Sequence, residues 1–356
     1  MTMAGEDVYD QLDRQLNSHE VPLAQRFRAL FTLKSLGGDR AIEVIGKGFD
    51  GESALLGHEL AYCLGQLKDP KALPILTKVL EDDKEHPMAA EAMGAIGSED
   101  ALPALRKYLK HENPAIRETC EIAVDKIVFD NSEEGKKAEP NQYPCIDPAP
   151  AASHSPLVAS AHSAALSPAT DLSIPELERI LLDTKLSLFE RYRAMFALRN
   201  IGDREAVLAL AKGFEDESAL FRHEIAFVFG QLSSPDSVPS LIDVLRRPHE
   251  EDMVRHEAAE ALGGIATDEC LPILKEFAQR QDVPRVVRES CVVALDMVSV
   301  GSHLYRIDLI ALHSRAQSGV WPAARETDHL PLPQYEYERS NEFVPLPTLP
   351  TATASA

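Results

Sequence analysis

Glu52-Ser-Ala-Leu-Leu-Gly-His-Glu-Leu-Ala-Tyr-Cys-Leu-Gly-Gln66 and Glu217-Ser-Ala-Leu-Phe-Arg-His-Glu-Ile-Ala-Phe-Val-Phe-Gly-Gln231 are two copies of one stretch, set 165 residues apart. The same offset pairs Arg26 with Arg191, Arg28 with Arg193, Leu33 with Leu198, Lys47 with Lys212 and Phe49 with Phe214. It continues through Pro70 and Pro235, Pro74 and Pro239, and Met88 and Met253. Register held from 20–128 against 185–298 means that half of the protein has been duplicated.

Within each copy the pattern is helical. Tyr192, Met195, Phe196 and Leu198 recur at three-to-four spacing, as one face of a helix requires. Gly38-Asp39, Gly202-Asp203, Asp69-Pro70 and Ser234-Pro235 stop one helix and start the next. Pro74, Pro103, Pro239 and Pro272 fall near the starts of second helices, where a missing N–H costs little. A third His-Glu at 256–257 follows His223 by 33 residues, one helix-pair repeat. The expected fold is all-α: a HEAT-repeat α-solenoid in two duplicated lobes facing each other.

Expected boundaries are 1–129 for the N-terminal lobe and 130–171 for a flexible linker rich in Pro, Ala and Ser. The C-terminal lobe spans 172–297 and restarts at the capping box Ser173-Ile-Pro-Glu176. Residues 298–356 read as an irregular insertion and a disordered, Pro/Thr-rich tail.

Composition narrows the function classes. A formal charge of −21 opposes nucleic acid and anionic membrane surfaces, both of which select Lys and Arg. It suits a cationic partner. Five cysteines, without CxxC or a secretory signal, point to reduced thiols inside a cell. No apolar run reaches the 18 residues of a membrane span. There is no GxSxG, no P-loop and no GxGxxG after a strand, which argues against hydrolase and nucleotide chemistry. With aromatics at 6% and one Trp, Ala/Leu-rich helices are favoured over a β-sandwich.

The chemistry rests on His58-Glu59, His223-Glu224 and His256-Glu257, each in the N-terminal part of a helix. Neighbouring repeats stand about 10 Å apart, so long side chains from both can converge between them. Mixed imidazole and carboxylate ligation with open positions suits Fe(II) oxygen chemistry, with manganese and zinc also accommodated. Facing lobes would bring two such sites together as a dinuclear centre. His111-Glu112 precedes Asn113-Pro114 in a turn, matches no His-Glu in the other half and is read as surface.

On these motifs the chain resembles the deoxyhypusine hydroxylases, with Ser53-Ala-Leu-Leu-Gly-His-Glu59 and Met253-Val-Arg-His-Glu-Ala-Ala-Glu-Ala-Leu-Gly263 as the typical phrases. The resemblance covers about 20–128 and 172–297. It implies a di-iron monooxygenase with four His-Glu pairs, acting on the deoxyhypusine side chain of translation initiation factor 5A with molecular oxygen and a reductant. The implied iron ligands are His58, Glu59, His223, Glu224, His256 and Glu257, with Glu59 and Glu224 also catalytic; which carboxylates bind the metal directly and which support it or hold substrate stays open. A monomer suffices, because the duplication supplies its own pseudo-symmetry. The expected location is the cytoplasm, extending to the nucleus. The alternative from another class is a non-catalytic HEAT-repeat scaffold holding a basic partner on its acidic face.

Two departures matter. Met253-Val-Arg-His-Glu-Ala-Ala-Glu260 is answered by Met88-Ala-Ala-Glu91, so four residues including the fourth His-Glu are absent. Four residues are close to one turn, so the helix is expected to survive while the metal half-site does not. The 223/256 half keeps donors for one metal, the other half keeps only His58 and Glu59, and hydroxylation should be low or absent. The second departure is the unpatterned run 298–334. Together they raise the hypothesis of misplaced intron boundaries, which a transcript encoding this chain unchanged would rule out.

Overall fold

The structure is a computed structural model that describes residues 7–49, 53–81, 86–138, 141, 143–152 and 172–301. Every regular element among them is helical. The N-terminal half contributes α1 (Val8–Leu16), α2 (Leu23–Leu36), α3 (Gly38–Lys47), α4 (Ala54–Gln66), α5 (Leu73–Glu81), α6 (His86–Ile96), α7 (Leu102–Arg106) and α8 (Pro114–Asn131). The C-terminal half contributes α9 (Ile174–Leu182), α10 (Leu188–Ile201), α11 (Arg204–Ala211), α12 (Ala219–Leu232), α13 (Val238–Arg246), α14 (Asp252–Ile265), α15 (Cys270–Gln279) and α16 (Arg285–Gly301). These described residues all belong to one compact unit. None of their helices is long and apolar enough to cross a membrane. The insertion and tail beyond 301 lie outside the described residues.

Local chemistry sets the ends of the helices. The Ser53 hydroxyl accepts the Leu56 N–H and the Ser218 hydroxyl accepts the Phe221 N–H, both at 3.1 Å. A side-chain oxygen at the N-cap satisfies a backbone donor that the helix cannot. Ser173 and Glu176 form the expected capping box. Pro74, Pro103 and Pro239 fall at the second helical position, and Pro272 at the third. At the other ends, buried arginines serve as caps. Arg26 Nε donates to the Leu16 carbonyl at 2.7 Å, Arg191 Nε to Leu181 at 2.9 Å and Arg255 Nε to Leu245 at 3.1 Å. A guanidinium at a helix C-terminus takes up an orphan carbonyl and opposes the negative end of the dipole.

The even-numbered helices stack as a layer. α2, α4, α6 and α8 pack in sequence, as do α10, α12, α14 and α16. α8 then packs on α10 and α12, and α16 packs on α2 and α4, so the contacts run in a closed circuit. The exchange is reciprocal in the cores. Val293 of α16 joins the N-terminal core, while Ile122 of α8 joins the C-terminal one. It is reciprocal in polar contacts too. The Ser53 hydroxyl donates to Glu289 at 2.8 Å, and its duplicate Ser218 donates to Glu118 at 2.6 Å. The two helices bearing His58 and His223 are therefore each pinned at the N-terminus by a glutamate from the opposite half.

The stretch expected as a flexible linker is, over 143–152, held in place. Gln66 and its duplicate Gln231 grip it from the two halves. Gln66 exchanges hydrogen bonds with the Ile146 backbone at 2.9 and 3.3 Å, and Gln231 donates to Cys145 Sγ at 2.9 Å. The fully buried Arg199 pairs with Asp147 at 2.7 Å and also donates to Asn141. Ala152 N–H donates to the Arg193 carbonyl at 2.9 Å. Residues 153–171 lie outside the described set.

Candidate metal centre

His58, His223 and His256 each occupy the fifth position of their helices, α4, α12 and α14. Equal placement on stacked helices aims three imidazoles at one point. Ring centroids are 5.6 Å apart for His58 and His223, 4.9 Å for His58 and His256, and 5.5 Å for His223 and His256. One donor atom from each ring and one from Glu257 lie within 4.8 Å of one another. The fold brings the residue-58 side chain to the 223/256 pair.

The other predicted residues fall around this set. Glu59 is 8% exposed, and its Oε1 lies 3.9 Å from His58 Nε2. Glu224 is 2% exposed, and its Oε1 has no hydrogen-bond partner. Two residues were missed in the sequence. Glu260 accepts the Ser290 hydroxyl at 2.9 Å and lies 3.4 Å from His256 Nδ1. Glu91 sits at the matching place in the other half and acts electrostatically on His223, Glu224 and Glu257. The signal was present as the shared Ala-Ala-Glu of 89–91 and 258–260. His111 is half-buried in a turn, where its Nδ1 accepts the Asn113 N–H. The side chain of His86 lies outside the described residues.

Electrostatics mark the site as one arranged around positive charge. Burial pushes the carboxyls of Glu59 and Glu224 well above the usual range, and neighbouring glutamates push them further. Burial likewise lifts Glu91, and raises Glu260 to about 7. Burial drives His58 well below the ordinary imidazole value, with His256 and His223 adding to it, and takes His256 down to about 4. Burial also pulls on His223, but contact with Glu257 and the field of Glu91 and Glu260 outweigh it and raise that imidazole. Buried imidazoles and carboxyls crowded together, able to release their protons as a cation arrives, are what a divalent ion takes as ligands. His223 Nε2 lies 3.4 Å from Glu257 Oε2, misaligned for a hydrogen bond, so both buried ring nitrogens of His223 lack a hydrogen-bond partner. Buried donors left unmade are costly unless something fills the gap.

Among the described residues the duplicate half offers no matching donor set. Gly65 packs on Ala92 as Gly230 packs on Ala261, so α6 and α14 align at an offset of 169. In that frame Pro87 and Met88 stand where His256 and Glu257 stand, and neither can ligate a hard or borderline dication. The helix does survive, with 11 residues in α6 against 14 in α14.

A narrow crevice adjoins the cluster, lined by Glu91, Ile122, Lys126, Tyr192, Leu220 and Glu224 among others. Lys126 is ion-paired with Asp130. Two carboxyls, Glu91 and Glu224, face it beside the apolar side chains of Ile122 and Leu220.

The sequence matches the profile of HEAT repeats over 208–296 and that of the PBS lyase HEAT-like repeat over 57–82, 88–111 and 190–216. A deoxyhypusine hydroxylase of Cryptococcus neoformans is 54% identical over 243 residues, 66% of this chain and 63% of that protein. The deoxyhypusine hydroxylase of Drosophila pseudoobscura pseudoobscura is 50% identical over 71% of this chain and 79% of its own. Among solved structures, human deoxyhypusine hydroxylase in complex with glycerol is similar at a TM-score of 0.74 and 45% identity. That match covers 82% of this chain and 96% of the human one.

Proposed function

The chain belongs to the deoxyhypusine hydroxylase family, and from that premise we propose that it hydroxylates the deoxyhypusine side chain of translation initiation factor 5A, and does so weakly. The observation that carries this reading is the convergence of His58, His223, His256 and Glu257 from both halves beside a crevice with carboxylates. Iron, molecular oxygen and a reductant are the co-reactants. A bound iron would supply the oxygen activation that an unactivated carbon–hydrogen bond demands.

The protein's own part is binding, orientation and exclusion of water. Glu91 and Glu224 line the crevice and can hold a protonated amine. Ile122 and Leu220 can flank the methylene chain. Tyr192, buried beneath, donates to the Leu220 carbonyl at 3.2 Å and fixes that wall. Burial of the donors keeps bulk water from the reacting carbon. Glu59, beside the imidazoles, is placed to hold a proton within the site.

The test is conversion of a deoxyhypusine-bearing substrate protein, followed by mass spectrometry with iron and reductant supplied. Slow incorporation of one oxygen is expected, abolished in His223→Ala and reduced at least about tenfold in Glu224→Gln, in line with the loss of a hydrogen bond to a charged amine. A chain that converts nothing, yet retains a basic partner equally in the wild type and in His223→Ala, would instead be the scaffold.

A further inference from the structure

We propose that this chain binds a single divalent transition-metal ion, held jointly by His58, His223, His256 and Glu257, which ties its two halves together. The proposal concerns binding and stands apart from whether the chain turns over substrate.

Three observations converge on it. The first is the donor set. Four ligand atoms lie within 4.8 Å of one another, one of them from α4 of the N-terminal half and three from α12 and α14. Ligands at about 2.1 Å around one ion stand roughly 3.4 Å apart, so closure needs only small side-chain movements. The second is the unmade polar contacts. His223 is 4% exposed, and both its ring nitrogens lack hydrogen-bond partners. A ring nitrogen in that state, aimed at two other imidazoles, has a ligand's environment. The third is the register of the other half. Pro87 and Met88 stand in the register of His256 and Glu257, so the described side chains of that half offer His58 no imidazole partner. Its ring lies instead 4.9 Å from His256. Two ions would need two separate sets of donors, and the described residues contain one such set.

An ion so held bridges the halves. Its binding should therefore stabilise the fold as well as fill a site, because anything that binds only the folded state raises its stability.

The experiment uses the full chain, stripped of metal and titrated with Co(II), read by calorimetry, by visible absorbance and by the shift in melting temperature. One equivalent is expected, with a rise in melting temperature. In His58→Gln the affinity should fall at least about tenfold, in line with the loss of a ligand or its close support, and the rise should shrink. His111→Gln should leave both unchanged. Circular dichroism on the metal-free variants separates loss of the ligand from loss of the fold. A second variant carries Val-Arg-His-Glu inserted between Met88 and Ala89, restoring the missing turn, and should bind two equivalents. Two equivalents of similar affinity in the unmodified chain would overturn the proposal. So would no binding, unchanged affinity in His58→Gln, or a single equivalent after the insertion. Failure to hydroxylate with one ion bound would sink the enzymatic reading and leave this one intact.

Discussion

Asp125 shows how a single buried charge sets pH behaviour away from the metal centre. It lies on α8, and burial first, then Glu121 and Glu190, push its carboxyl up to about 6. The folded value exceeds the ordinary 3.8, so the neutral form favours the fold. That contribution is complete below about pH 3.8 and is lost as pH rises through about 6. Asp125→Asn should therefore match the wild type near pH 4 and melt about 1–3 °C higher at pH 7–8, a modest figure because the group is partly solvated. Thermal melts across that range check it, and equal melting temperatures at pH 8 would contradict it. At this same scale the histidines were legible, because a His-Glu dipeptide recurring at repeat spacing is rare by chance. Glu91 and Glu260 were not, because a glutamate in an Ala-rich helix looks like any solvated face until packing turns it inward. Which carboxylates bind directly stayed open in the sequence; Glu257 lies with the three imidazoles, while Glu59 and Glu224 lie outside the four-donor set.

Among the elements, the repeat helices were readable from three-to-four spacing, turn dipeptides and prolines near helix starts. α6 was expected to survive its lost turn, and it does, by keeping the Gly65–Ala92 contact and giving up length at its N-terminus. In the described part of the expected linker, 143–152, Pro144, Pro148 and Pro150 exclude a helix without leaving the chain free. Side chains from packed helices can hold an extended segment that has no hydrogen-bond ladder of its own. Gln66, Gln231 and Arg199 do so here. The Arg199–Asp147 pair is buried on both sides, and Arg199 also stacks on Tyr143 at 4.2 Å. Removing one member leaves a charge stranded, so Asp147→Ala should cost about 3–5 kcal/mol in urea unfolding. A loss indistinguishable from zero would show that this segment does not fasten the halves.

For the molecule as a whole, duplication explains both the closed circuit of helices and the location of the site. Each half places its fifth-position imidazole toward the other. α8 and α16, the last α-helices described in the two halves, fasten that arrangement through Glu118 and Glu289. The formal charge of −21 would draw a cationic partner toward such a surface. Offset 165 was enough to read the repeats. The closing contacts were not, since Ser53 with Glu289 and Ser218 with Glu118 join positions that no periodicity connects. The central claim is that the two halves share one ion. An anomalous-difference map from crystals of the Co(II)-loaded protein tests it most directly. The account predicts a single peak bonded to nitrogens of His58, His223 and His256 and to an oxygen of Glu257. Two peaks, or one peak held by His223 and His256 with the His58 ring turned away, would contradict it.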